Sequence, residues 1–138
     1  MARKITVVVE TGKDLFSCFM SGADDLDFGL HGDGKTARKA IEDFYIARDE
    51  MKDFYEEQGR EFPELEFEFV LDIGAFFSYY PFFNITQFSK FVGINAAQMR
   101  QYASGIRRPT KQKKDDINRA VRYIVEALFS ESRAFCID

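Results

Sequence analysis

Tryptophan is absent, histidine occurs once, cysteine twice and proline three times in 138 residues. With His31 as the sole imidazole, neither a paired-histidine ribonuclease nor a histidine-rich metal site can be built, and no cofactor is expected. Cys18 and Cys136 lie far apart in a chain that shows no secretion signal, so they read as reduced thiols and the expected location is cytoplasmic. Long apolar runs are also missing. Nothing approaches the roughly 20 residues that span a bilayer, and the apolar stretch after Arg3-Lys4 covers only about five, too short for a secretory core. A protein without a membrane segment, made and kept in one compartment, is the expectation. The 46% hydrophobic and 30% charged content is ordinary for a globular chain, enough for one domain or two very small ones.

Charge is present in quantity but unevenly placed. Residues 1–72 hold nine Lys and Arg against eighteen Asp and Glu, a net charge of −9, whereas residues 73–138 hold ten against five, a net +5. Most of the excess lies in residues 90–122, where nine basic side chains face only Asp115 and Asp116. Such a block is a candidate polyanion surface, and the acidic half would repel nucleic acid and attract a basic partner. Phenylalanine is abundant instead of tryptophan: nine of the sixteen lie between Phe62 and Phe91. Small modules with little interior need such bulky fillers, and part of the cluster could alternatively form a partner surface.

The β-branched run Ile5-Thr6-Val7-Val8-Val9 and the following Leu15-Phe16-Ser17-Cys18-Phe19-Met20 predict an antiparallel hairpin. A third extended piece is expected over residues 26–31. Thr36 then caps a long helix whose apolar face carries Ala40, Ile41, Phe44, Met51, Phe54 and Tyr55, with Gly59 ending it. Glu66-Phe67-Glu68-Phe69 alternates, predicting a strand with the phenylalanines inward. The expected class is α+β: a β-β-β-α-β antiparallel-sheet domain over residues 1–72, then an all-α domain over residues 73–138. No Gly/Ser linker separates them at Asp72-Ile73-Gly74, so the two are expected to lie close together. The last possible strand covers residues 134–137.

Residues 85–102 read as two short helices about a tight turn. Phe88 and Val92 stand one helical turn apart, Ser89 allows close helix approach, and Gly93 breaks the first helix before Asn95 caps the second. On the second helix Met99 and Tyr102 face inward, leaving Asn95, Ala96, Ala97, Arg100 and Gln101 outward, as in a helix-turn-helix reading a major groove. Gly105 ends that helix, Arg107 and Arg108 follow, and Thr110 starts another helix with Lys111, Lys113 and Lys114 in its first turns. Cations there oppose the macrodipole by roughly 0.3 to 1 kcal/mol each, a cost that makes sense opposite phosphates. Asn95 and Gln101 suit adenine edges, Arg100 guanine or phosphate, and Ala96 and Ala97 thymine methyls, while Arg107, Arg108 and the three lysines hold the backbone.

Residues 73–128 resemble the lambda-repressor-like (XRE-type) helix-turn-helix family, with Thr86 to Ile94 as first motif helix and turn, and Asn95 to Gly105 with Arg107-Arg108-Pro109 as recognition helix and basic loop. The acidic half resembles the HicB family of antitoxins, whose N-terminal domain is a degenerate ribonuclease-H-like unit. It departs from that family in two places: Phe28 to Gly34 replaces a Pro-Gly-Cys-type turn, and Thr36-Ala37-Arg38-Lys39-Ala40 replaces a Thr-x-x-Glu-Ala helix start. The resemblance implies a non-enzymatic antitoxin and autorepressor of a HicAB-like toxin–antitoxin system. Its partners would be double-stranded operator DNA and a small basic HicA-type ribonuclease toxin, with the chain acting as a homodimer or higher oligomer. A solitary helix-turn-helix regulator without a toxin is the alternative.

One decoy is literal. Gly29-Leu30-His31-Gly32-Asp33-Gly34-Lys35-Thr36 satisfies the P-loop pattern, and Phe69-Val70-Leu71-Asp72 could pass for the strand that ends in a magnesium-holding aspartate. Asp24, Asp25, Asp27 and Asp33 surround that loop and would repel phosphate, so nucleotide binding is the weakest alternative. Asp25, Asp27 and Gly29 begin an EF-hand spacing but lack its glycine and final glutamate.

Overall fold

The structure is a computed structural model that describes residues 2–132 and 134. It is a mixed α+β arrangement of a four-stranded sheet and five helices. Strands β1 (Arg3–Thr11) and β2 (Phe16–Ser21) form the hairpin expected from their β-branched and aromatic content, closed by Gly12 N–H donating to the Leu15 carbonyl at 2.9 Å. Strand β3 (His31–Gly34) pairs with β2, helix α1 (Ala37–Glu57) crosses one face, and β4 (Leu65–Leu71) joins the far side, giving the order β3-β2-β1-β4.

Two sequence expectations change here. The sheet is not wholly antiparallel, because β4 runs parallel to β1, with Val8 beside Val70. After the β1-β2-β3 meander, α1 carries the chain back along the sheet, so the next strand must point the way β1 does. The third strand begins at His31, where residues 26–31 were expected; Gly32 and Gly34 explain why. A β-carbon on Gly32 would collide with the backbone of Ala40 and Phe44, and one on Gly34 with Lys39 and Ala40. This edge strand is therefore the one on which α1 lies closest, and only glycine leaves room for it. The expected strand over residues 134–137 falls largely outside the described residues.

Helix α1 starts as its sequence indicates, with the Thr36 hydroxyl accepting from Lys39 N–H at 3.1 Å. Ala37, Ala40 and Phe44 are fully buried with Val7, Val9 and Cys18, and Phe67 and Phe69 pack edge-on against the Phe44 ring. Phe54, expected on this face, is 48% exposed; Tyr55 takes the inward position at that turn. Burial pushes the Cys18 thiol up to about 11, with Asp33 and Asp43 adding to the effect. The other sheet face has no helix laid along it among the described residues and carries Lys4, Thr6, Val8 and Glu10 of β1 with Glu66, Glu68 and Val70 of β4.

Helices α2 (Ile73–Tyr79), α3 (Ile85–Val92), α4 (Ala96–Ser104) and α5 (Lys111–Glu131) enclose a second cluster of Phe88, Ile94, Met99, Tyr102 and Ile117. Helix α2 is the joint between the two clusters. The Asp72 carboxylate caps it by accepting from Ala75 N–H at 2.8 Å and also accepts from the Thr11 N–H and hydroxyl at 2.7 and 2.6 Å. Gly74 sits between the Thr11 side chain and the Ala103 carbonyl with no space for a β-carbon. At the other end, the Ser78 hydroxyl accepts from Ala37 N–H at 3.0 Å and the Arg38 guanidinium lies 3.9 Å over the Tyr79 ring. No helix among the described residues is long and apolar enough to cross a membrane.

Candidate nucleic-acid interface

The α3–α4 pair is built from small local devices. Ser89 is fully buried and returns its hydroxyl to the Ile85 carbonyl at 2.6 Å, so a polar side chain costs little at the closest helix approach. Gly93 adopts φ 88°, a left-handed conformation that ends α3. Asn95 then caps α4, its side-chain oxygen accepting from Ala97 N–H at 2.8 Å and Gln98 N–H at 3.4 Å. Met99 and Tyr102 bury themselves against Phe88 and Ile94, which fixes the opposite side of α4 outward.

That outward side carries Ala97, Arg100 and Gln101, all exposed. Ala96 is half-buried, which reduces the methyl surface it can offer. Asn95 is exposed, but its oxygen is committed to the cap; the amide nitrogen remains as its outward donor. Arg100 is steadied by donating to the Thr86 hydroxyl at 2.7 Å. Nothing in the residue pattern signals that contact, since the two residues belong to different helices.

Gly105, at φ 81°, ends α4 beside Thr11, and Arg107 and Arg108 follow with exposed side chains. Arg108 reaches Glu10 of β1 at 3.4 Å, a loose pair in which the arginine stays 88% exposed and which contributes little to stability. Thr110 caps α5 by accepting from Lys113 N–H at 3.3 Å. Lys111 and Lys114 project outward, whereas Lys113 is half-buried. Among the described residues no carboxylate lies within ion-pair distance of Arg100, Arg107, Lys111, Lys113 or Lys114. The recognition-helix candidates and the basic candidates thus lie on α4, the loop after it and the first turns of α5, with most of their cations uncompensated.

The acidic half differs. Glu42, Asp43, Asp49, Glu50, Asp53, Glu56 and Glu57 are exposed along α1, and Glu66 and Glu68 on the open sheet face. Three carboxylates are matched by arginines of the same half, Asp25 by Arg3, Asp27 by Arg60 and Asp49 by Arg48, and Glu10 by Arg108 of the other. The Tyr55 hydroxyl donates to Asp27, and together with the Arg60 guanidinium it holds that carboxyl below its ordinary range. The P-loop-like stretch contains β3 and the α1 cap; it is an edge strand pressed against a helix, not a loop curled around an anion. Compared with protein-family models, curated proteins and solved structures, the chain matches none.

Proposed function

We propose that the chain is a DNA-binding transcriptional repressor in which α3 and α4 act as a helix-turn-helix. Its acidic half would serve as the antitoxin surface for a small basic ribonuclease. The observation that carries the reading is the cap-and-core geometry of α4. Asn95 starts the helix, Met99 and Tyr102 anchor it, and Ala97, Arg100 and Gln101 are left outward, continuous with the uncompensated cations of 107–114. Short and polar side chains on an exposed helix suit base edges, and a basic loop beside it suits phosphates.

One such unit makes too few contacts for a selective operator, so the working form is a dimer reading two half-sites about one DNA turn apart. The exposed end of α5, with Val125, Leu128 and Phe129 between 59% and 84% exposed, supports self-association there. If about four phosphates are neutralised per subunit, log K falls with log salt with a slope of roughly −3.6 per subunit.

The test is a gel-shift series on fragments from the surrounding genome and on random duplex. Arg108→Ala is expected to weaken binding to both alike, while Gln101→Ala mainly erodes the preference between them. Equal loss on both for Gln101→Ala would contradict the groove assignment. For the toxin arm, a small basic protein encoded beside this chain should co-purify with it, and substitutions along the acidic side of α1 should release it. A second reading, a solitary regulator whose acidic half senses a small molecule, is favoured by a cleft between the open sheet face and the basic loop.

A further inference from the structure

That cleft encloses about 560 Å³, within the range of small-molecule sites. Its walls combine the edges of the two cores with apolar residues of the sheet that neither core requires. The β1/β4 register sets Val8 beside Val70 on the sheet face that α1 leaves uncovered, and the β1/β2 register sets Phe19 beside Val8. Val70 remains 50% and Phe19 36% exposed, an apolar strip across three strands of which Val8 and Val70 line the cleft while Phe19 lies beyond it. Val121 of α5 lines the cleft from the opposite side. The lip is cationic: Arg107, Arg108 and Lys114 all border the cavity, against two carboxylates, Glu10 and Asp72; Arg108 touches Glu10 at 3.4 Å, and the Asp72 oxygens are taken up by Thr11 and the Ala75 N–H. Arg107 and Lys114 have no carboxylate within ion-pair distance among the described residues.

An apolar trough ending in uncompensated guanidinium and ammonium groups is complementary to one chemical class, a small amphipathic anion. We propose that this cleft binds a monocarboxylate with an apolar body, its head group held by Arg107 and Lys114 and its tail lying over Val8 and Val70 toward Phe19. The pairing is charge-assisted at one end and driven by apolar burial at the other. Arg107 and Lys114 are also cations assigned above to DNA phosphates. The regulatory half of the inference therefore rests on the repressor reading: an occupied cleft withdraws two phosphate contacts and lowers operator affinity.

Decanoate is the probe, titrated calorimetrically into the full chain below its micellar concentration, with decanol and decyltrimethylammonium as head-group controls. The expected result is one saturable site per chain for decanoate and much weaker binding of both controls. Arg107→Gln or Lys114→Gln, both at exposed positions, should weaken decanoate on the order of tenfold. Val70→Trp, which fills the trough from an exposed strand position, should abolish binding while leaving the circular dichroism spectrum intact. Absence of saturable binding, equal affinity for decanol, or an unchanged affinity in both glutamine variants would overturn the proposal. So would a cleft already filled by a second copy of the chain, seen as failure of decanoate to bind together with a change of sedimentation coefficient in Val70→Trp. Operator affinity measured with and without decanoate separates the two claims. Decanoate binding in a chain that ignores DNA retains the site and removes the repressor, whereas DNA binding indifferent to bound decanoate removes the coupling.

Discussion

Gly32 and Gly34 lie where the inner side of β3 meets α1 with no side chain between them. Gly32→Ala is expected to destabilise the fold by about 1 to 3 kcal/mol, because the added methyl meets backbone that cannot give way. A urea-unfolding midpoint reads this directly. Gly34, read as sequence with Gly29 and Lys35-Thr36, mimics a phosphate loop; nothing in that spacing reveals that what Gly34 makes room for is a helix of the same chain. Asn95 and Thr36, by contrast, act as the caps their residue types announce, since a side-chain oxygen one position before a helix has an orphan amide to satisfy wherever the helix is placed. Asp27 supplies a pH dependence at this scale. Its carboxyl is depressed by the Tyr55 hydroxyl and then by Arg60, so its stabilising effect is present above the unfolded-state value of roughly 4 and is lost as pH falls through the lower folded value. Asp27→Asn should flatten the acid limb of the stability curve below about pH 4, measured as the loss of urea midpoint between neutral and acid buffer. Persistence of the full acid sensitivity would assign it to Asp25 and Arg3 instead.

Among the elements, α5 sets stability against use if the repressor reading holds. Lys111, Lys113 and Lys114 occupy its first turn, at the positive end of the helix dipole. Lys111→Glu should therefore raise stability by about 0.3 to 1 kcal/mol while lowering DNA affinity. Thermal unfolding and gel shift on the same variant would show opposite signs, and a variant that lost both would indicate that the lysine packs rather than contacts phosphate. The amphipathic helices, the hairpin and the alternating strand were legible in the chain because burial on one face imposes a period of 3.6 or 2. Strand direction was not visible in that pattern, since the Phe67 and Phe69 alternation is the same for either orientation. Counting passes of the chain would have supplied it: three strands and one returning helix leave β4 parallel to β1. The Arg100–Thr86 contact and the Arg108–Glu10 pair were invisible for a different reason, being products of tertiary placement with no local signature.

For the whole molecule, the charge division read from the sequence corresponds to two surfaces, one acidic along α1 and the open sheet, one basic on α4, the loop after it and α5. What the chain did not disclose is how tightly the halves are coupled. The Asp72 carboxylate accepts from Ala75 and twice from Thr11, so Asp72→Ala removes a helix cap and two half-buried hydrogen bonds together. A loss of about 2 kcal/mol is expected, with fluorescence and circular dichroism transitions that no longer coincide once the halves unfold independently. Coincident transitions in that variant would mean that the remaining α1–α2 contacts are enough to keep the halves cooperative.

Gly74 has its own consequence for how such a protein can be recombined. Because its bare α-carbon is wedged between Thr11 of the first strand and Ala103 of the fourth helix, neither half can be exchanged as a cassette. A chimera carrying a foreign front portion would have to import a threonine-bearing strand end that fits this notch, or accept a joint that rattles.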